Sequence, residues 1–234
     1  MKIIYNPSFL GIKTYTEGKL KFIKEVSCRP INEDFLDVSL TPRKDDCEVV
    51  INNNESLREC AVGNFTISDK KKVLTANDMF TDYTFRHKGF GTCLHLINII
   101  ELNENNLDCI KLYSLANAMP FHRKFGFKPD SRWNHDLKVN LKAISEDCSL
   151  GMEQISENAN ALLKNHIYYP KLKASIGNKI IQAYLDLAIK IYNKDELGFL
   201  MPCNSDMILT KKDILKNKEF YNQLFKRFCF EYRI

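Results

Sequence analysis

The run Arg86-His87-Lys88-Gly89-Phe90-Gly91 constrains the fold more than any other part of the chain. It follows residues 79–85, which read as a strand. It opens an apolar stretch in which Cys93, Leu94, Leu96, Ile97 and Ile100 recur at helical spacing to about Glu104. A strand that turns through glycine into a helix belongs to an α/β arrangement. The first amides of such a helix have no acceptor within it, and its dipole adds partial positive charge, so the junction suits an anion. Gly89 and Gly91 let backbone approach a phosphate, and Arg86, His87 and Lys88 add charge at the same point. The Gly-Lys-Ser/Thr ending of a P-loop is missing, and so is the third glycine of a dinucleotide fingerprint.

The rest of the chain fits one domain with an extension. Its 234 residues are 44% hydrophobic and 27% charged, ordinary for a soluble globular protein. No run approaches the roughly 18 apolar residues of a membrane span, and Met1-Lys2-Ile3-Ile4-Tyr5-Asn6-Pro7 is interrupted too early for a signal peptide. The eight cysteines form no Cys-x-x-Cys pair, which argues against a zinc ribbon and for reduced structural thiols in the cytoplasm. The net charge of +5 gathers at Lys70, Lys71 and Lys72 and near the C-terminal end, where solvated faces are the plain reading. No nucleic-acid motif and no membrane segment is present in the sequence.

The N-terminal third reads as strands. Residues 12–16 and 19–23 flank the turn Glu17-Gly18, Pro30 and Pro42 punctuate the next stretch, and a short β-branched run at 48–51 precedes Asn52-Asn53-Asn54. Residues 57–67 form the partner strand, with Gly63 as a bulge or a close-approach point. A further strand at 109–113 precedes a short helix capped by Asn117, with Pro120 in its first turn and Gly126 just past its end. Helices are expected at 156–168 and 178–193, and from Thr210, boxed with Asp213, to about Phe230. The division is a domain over 1–135 and a helical extension or subdomain over 136–234.

Two motifs, about 35 residues apart, carry a family resemblance. Arg86-x-x-Gly89-x-Gly91 resembles the acetyl-CoA signature of the GNAT N-acetyltransferase superfamily. Ala118-Met119-Pro120-Phe121-His122-Arg123-Lys124-Phe125-Gly126-Phe127 resembles its second element, and the likeness covers about residues 47–130. The resemblance implies an α/β fold with a mixed, splayed central sheet flanked by helices. It implies acetyl-CoA as acyl donor, no metal, and direct transfer to a primary amine on a small molecule or on a protein lysine or N-terminus. It places the pyrophosphate on the amides of His87, Lys88, Gly89, Phe90, Gly91 and Thr92 beside Arg86. It sets the pantetheine arm along Phe80 and Thr81, and Asn117 and Phe121 across the slot from it.

The sequence departs from the family at His122, where tyrosine is the frequent general acid. His122 is read either as the acid or as a packing histidine, and Asp78 either as the base or as a solvated turn residue, with Asp82 behind it. The N-terminal region also shows no helical stripe where the family shapes its acceptor site. The rival reading is a non-catalytic acyl-CoA-binding or protein-interaction module. His95 and Glu101 are assigned to the exposed edge of their helix. Trp133 closes the pocket or covers the core, Tyr168-Tyr169-Pro170 is read as a helix end or its tyrosines as lining a substrate groove, and Cys109 is a strand residue rather than a nucleophile. The oligomeric state is open.

Overall fold

Period-two alternation governs the N-terminal third, and its described residues are strand apart from Cys28 and the turn at 69–72. The structure, a computed structural model, describes residues 13–17, 20–26, 28, 36–42, 46–53, 58–130, 132–166, 168–191 and 205–234. Gly18, Pro30, Asn54, Cys203 and the end of the helix expected at 178–193 lie outside them. Strands β1 (Lys13–Glu17), β2 (Leu20–Val26), β3 (Leu36–Pro42), β4 (Asp46–Asn53), β5 (Arg58–Ser68) and β6 (Val73–Thr81) pair antiparallel in chain order. Cys47, Val49 and Ile51 of β4 and Ala61, Phe65 and Ile67 of β5 are buried, as alternate positions on one sheet face must be.

Helix α1 (Phe90–Glu104) packs against β2, β5 and β6. Gly63 is a close-approach point: a Cβ there would stand 3.0 Å from Leu94 Cδ2. The bulges fall elsewhere, beside Ile51 and Asn64. Helix α1 is buried on nearly every side, from Cys93 through Leu102. The assignment of His95 and Glu101 to an exposed edge is therefore corrected, because this helix has no solvent stripe for them. Glu101 instead accepts from the Ile23 amide (2.6 Å) and the Asn105 side chain (3.0 Å), and Asn105 donates to and accepts from the Lys21 backbone. Burial pushes the Glu101 carboxyl up to about 8.

The chain forms two compact units, one of residues 1–111 with 209–234 and one of residues 112–208. Strand β7 (Cys109–Ser114) carries the chain from the first into the second. The first unit is completed by α6 (Lys211–Lys216) and α7 (Lys218–Arg227). The capping box is present: the Asp213 amide donates to Thr210 Oγ1 at 3.1 Å, and the Thr210 hydroxyl donates to Asp213 Oδ2 at 2.8 Å. The single last helix is corrected to two, because the Asn217 side chain turns back to donate to the Asp213 carbonyl (2.9 Å) and breaks the run.

The second unit holds α2 (Met119–Lys124), β8 (Lys128–Pro129), α3 (His135–Glu146), α4 (Glu153–Lys164) and α5 (Pro170–Ile191). Helices α3, α4 and α5 bury Leu137, Leu141, Ile144, Ala159, Leu162, Ile181 and Leu185 among themselves. Asp147 ties them, accepting from the Tyr184 hydroxyl at 2.7 Å while its carbonyl accepts from Ser156. Tyr168 and Tyr169 precede α5, so they mark a helix start rather than an end, with Pro170 at the first helical position where its missing N–H costs nothing. Strand β9 (Ser205–Thr210), which pairs antiparallel with β8, stands in a region read as helical.

Candidate active site

Strand β6 carries a bulge that sets its phase. Asn64 pairs with Asp78 and Phe65 with Ala76, leaving Asn77 as the extra residue. Leu74 and Ala76 face the core before the bulge, whereas Asp78 and Phe80 are exposed after it. In an unbulged register Asn77 would take the place opposite Asn64, and Asp78 would fall opposite Gly63 on the buried face. Phe80 sits opposite Val62 and Thr81 opposite Ala61. Phe80, Asp82, Arg58 and residues 59–62 line a cleft of about 400 Å³.

The strand ends at Thr81, short of the expected Phe85, because Asp82 caps a tight 3-10 turn at Tyr83–Phe85. Asp82 Oδ1 accepts from the Thr84 amide at 2.9 Å, and Arg58 stands 3.6 Å from the other oxygen. The Thr84 hydrogen bonds, then the Arg58 and Arg86 charges, hold the Asp82 carboxyl below its usual range. The Phe85 ring organises the cations of the turn, with Lys88 Nζ at 5.0 Å and Arg58 Cζ at 5.8 Å from its centroid. Phe90 meets the same ring edge-on at 5.7 Å.

His87 (φ 66°) and Gly89 (φ 104°) take left-handed backbone, and Gly89 is the N-cap of α1. The first intrahelical bond runs from the Cys93 amide to the Gly89 carbonyl at 3.1 Å. The amides of Phe90, Gly91 and Thr92 therefore have no acceptor within the helix. A Cβ on Gly89 would stand 2.4 Å from Cε1 of Phe228, so the glycine is required by its dihedral and by this ring together. Arg86 and His87 are exposed and Lys88 half-buried.

In the second unit, Asn117 lies inside a 3-10 turn, Ala116–Ala118, and is exposed. The cap expected at Asn117 is corrected to Ala118, because the amides of Ala118 and Met119 already share the Leu115 carbonyl. Pro120 stands in the first turn of α2, as expected. Gly126 (φ 84°) closes the helix with a Schellman pattern: its amide donates to the Arg123 carbonyl (2.9 Å) and the Phe127 amide to the His122 carbonyl (3.3 Å). Phe121 is half-buried between His122 (5.3 Å) and Phe125 (5.5 Å), and His122 is buried with Phe127 at 5.9 Å. Burial pushes the His122 imidazole down to about 4, so it is neutral at physiological pH. Arg123 anchors α2 to α5 through Asp186 at 2.7 Å.

Phe80, Thr81 and residues 86–92 thus lie on one continuous strand-turn-helix, with Asp78 at the bulge just upstream. Asn117, Phe121 and His122 share one short segment of the other unit. The sequence reading passed over Asn77, Phe85, Arg58 and Phe228. The adjacent polar pair Asn77-Asp78 in an alternating strand was the available signal for the bulge. Phe228 left none, being 139 residues from Gly89.

No family model and no curated protein matches the chain. Solved structures do match parts of it. The PaiA N-acetyltransferase of Thermoplasma acidophilum, in complex with coenzyme A, is 16% identical over 37% of this chain and 54% of that one, with a TM-score of 0.34. An acetyltransferase of the GNAT family from Staphylococcus aureus is 22% identical over 38% and 58%, TM-score 0.35. A Bacillus subtilis acetyltransferase in complex with CoA is 13% identical over 44% and 83%, TM-score 0.38. The chain is similar to acetyltransferases over that stretch. It spans just over half the length of the first of these structures.

Proposed function

We propose that this protein is an acetyl-CoA-dependent N-acetyltransferase that passes an acetyl group directly to a primary amine, on a small molecule or a protein. The observation that carries the reading is the left-handed Gly89 at the head of the 15-residue α1, directly preceded by Arg86, His87 and Lys88. Three N–H groups without a helical acceptor, beside three basic side chains, fit a pyrophosphate. The second motif supports it, since its Gly126 closes α2 as the resemblance requires.

In this reading, the amides of residues 87–92 hold the pyrophosphate and Arg86 screens its charge. Phe80 and Thr81 offer strand backbone to the pantetheine arm. Acetyl-CoA would supply a thioester carbonyl for attack by an unprotonated amine, the C–N bond forming as the C–S bond breaks and coenzyme A leaves as its thiolate. Asp78, exposed beside the bulge, takes the amine's proton through water. His122, neutral at physiological pH, donates through a ring N–H and holds no mobile imidazolium proton. No metal is assigned, and a cytoplasmic location is part of the same proposal. Among the described residues, no helix is long and apolar enough to cross a membrane.

The burial of His122 favours a second reading, a non-catalytic acyl-CoA-binding or interaction module. Titration calorimetry with acetyl-CoA, followed by a thiol-release assay over an amine and lysine-peptide panel, separates the two. Binding with turnover supports the enzyme, whereas tight binding without turnover supports the module. Unchanged affinity in Gly89→Asp/Gly91→Asp would remove the cofactor assignment.

A further inference from the structure

The corner between α4 and α5 has no part in the acyl-transfer reading above, and it exposes aromatic and basic side chains together. Tyr168 is 94% exposed, Tyr169 70% and Leu172 53%. Lys164, His166 and Lys171 are exposed around them. Between Glu157 and Asp186 the chain has no acidic residue and four lysines, Lys164, Lys171, Lys173 and Lys179. Lys173 Nζ lies 4.5 Å from the centroid of the Trp133 ring, with Lys138 Nζ at 6.0 Å from the same ring. The corner therefore presents two phenols and a leucine at its tip, and an indole with two ammonium groups behind them.

Water is a poor solvent for that tip, and a protein groove is a poor fit. Aromatic anchors of protein interfaces fill pockets and are ringed by contacts that exclude water. Here Tyr168 and Tyr169 stand out side by side just before α5, with Leu172 about half exposed in its first turn. A bilayer headgroup layer accepts this arrangement, since tyrosine sits there with its ring in the acyl boundary and its hydroxyl wet. A segment that carries four lysines and no acid from residue 158 to 185 is attracted to an anionic leaflet, each lysine contributing within a Debye length of the surface. We propose that the α4–α5 corner docks on a membrane surface rich in anionic phospholipid, with Tyr168, Tyr169 and Leu172 entering the headgroup layer.

The full chain carries its own probe, since Trp133 is the single tryptophan. Vesicles of brominated phosphatidylcholine with 30% phosphatidylserine are expected to co-sediment the protein and quench that tryptophan. Neutral brominated vesicles are expected to do neither. Lys164→Gln/Lys171→Gln/Lys173→Gln should weaken partitioning about a hundredfold. Tyr168→Ser/Tyr169→Ser/Leu172→Ser should abolish quenching while circular dichroism and the melting temperature stay those of the wild type. Because all three side chains are surface groups, this variant folds on the same core. The proposal is overturned by equal binding to neutral vesicles, by full binding of the serine variant, or by binding to polyglutamate without binding to phosphatidylserine vesicles. The last result would assign the corner to an acidic protein.

Discussion

Phe228 lies against Gly89, so close that a single methyl on the glycine would stand 2.4 Å from the ring. The residue that opens α1 is therefore fixed by a side chain from the far end of the sequence. Gly89→Ala combines this clash with a φ of 104°, which costs an L-residue roughly 1–2 kcal/mol on its own. The expected outcome is a loss of about 2–4 kcal/mol in urea unfolding, with weaker acetyl-CoA binding. Phe228→Ala alone removes a buried ring and costs about 3–5 kcal/mol. The double variant should lose less than the sum of the two, because the clash is gone while the dihedral strain stays. Strict additivity would show that the ring and the glycine are not coupled.

Deletion of Asn77 tests the bulge. Removing the extra residue returns β6 to plain alternation, with Ala76 still opposite Phe65 and Asp78 still opposite Asn64 on the exposed face. No carboxylate is buried, so the deletion should fold and stay within about 1 kcal/mol of the wild type in urea unfolding. Asn77→Ala, which keeps the bulge, should do the same. A deletion that unfolds the protein would show that the bulge itself holds the strand in place.

His122 and Glu101 give the two units opposite responses to pH. His122 has a folded pKa of about 4, below its unfolded 6.5, so the unfolded chain takes the proton first as pH falls. Its unit loses stability between about pH 6.5 and 4, on the order of 3 kcal/mol. Glu101 has a folded pKa of about 8, above its unfolded 4.5, so the unfolded chain releases the proton first as pH rises. Its unit is most stable below pH 4.5 with respect to this group and loses roughly 5 kcal/mol by pH 8. Hydrogen exchange read separately in residues 112–208 and in β2 with α1 measures the two slopes. His122→Phe should flatten the first alone and Glu101→Gln the second alone.

The Thr210 cap offers a local test. Thr210→Ala removes the acceptor for the Asp213 amide and should cost about 1 kcal/mol, whereas Thr210→Ser should restore most of it. Equal losses in the two variants would mean that the methyl, rather than the hydroxyl, supplies the stability.

What the sequence made legible was local. The glycine turn, the helix after it, the capping box at Thr210 and the C′ glycine at position 126 each rest on a few neighbouring residues, and each stands where it was expected, while the strand before the loop is present but ends at Thr81 rather than Phe85. The misreadings share another cause. Amphipathic spacing places His95 and Glu101 outside, but α1 is enclosed by β2, β5, β6 and α7, which no window of neighbouring residues reveals. The Asn217 break turns on one side chain that prefers the backbone to solvent. Strand β9 borrows its pairing from β8, some eighty residues earlier in the chain. In the candidate site the glycine turn was readable from glycines and charge, whereas the burial of His122 was not, because an aromatic enclosure leaves no pattern at its own position.

The 139 residues between Gly89 and Phe228 also set a clock. At 5–20 residues per second, a ribosome needs roughly 7–28 seconds to travel from one to the other, plus the time for Phe228 to clear the exit tunnel. Through that interval the nascent first unit holds β1 to β6 and α1 but lacks the ring that seats the loop. The loop therefore matures only once Phe228 has emerged, and chains stalled or cut short before that residue should display a folded sheet with a loose glycine turn.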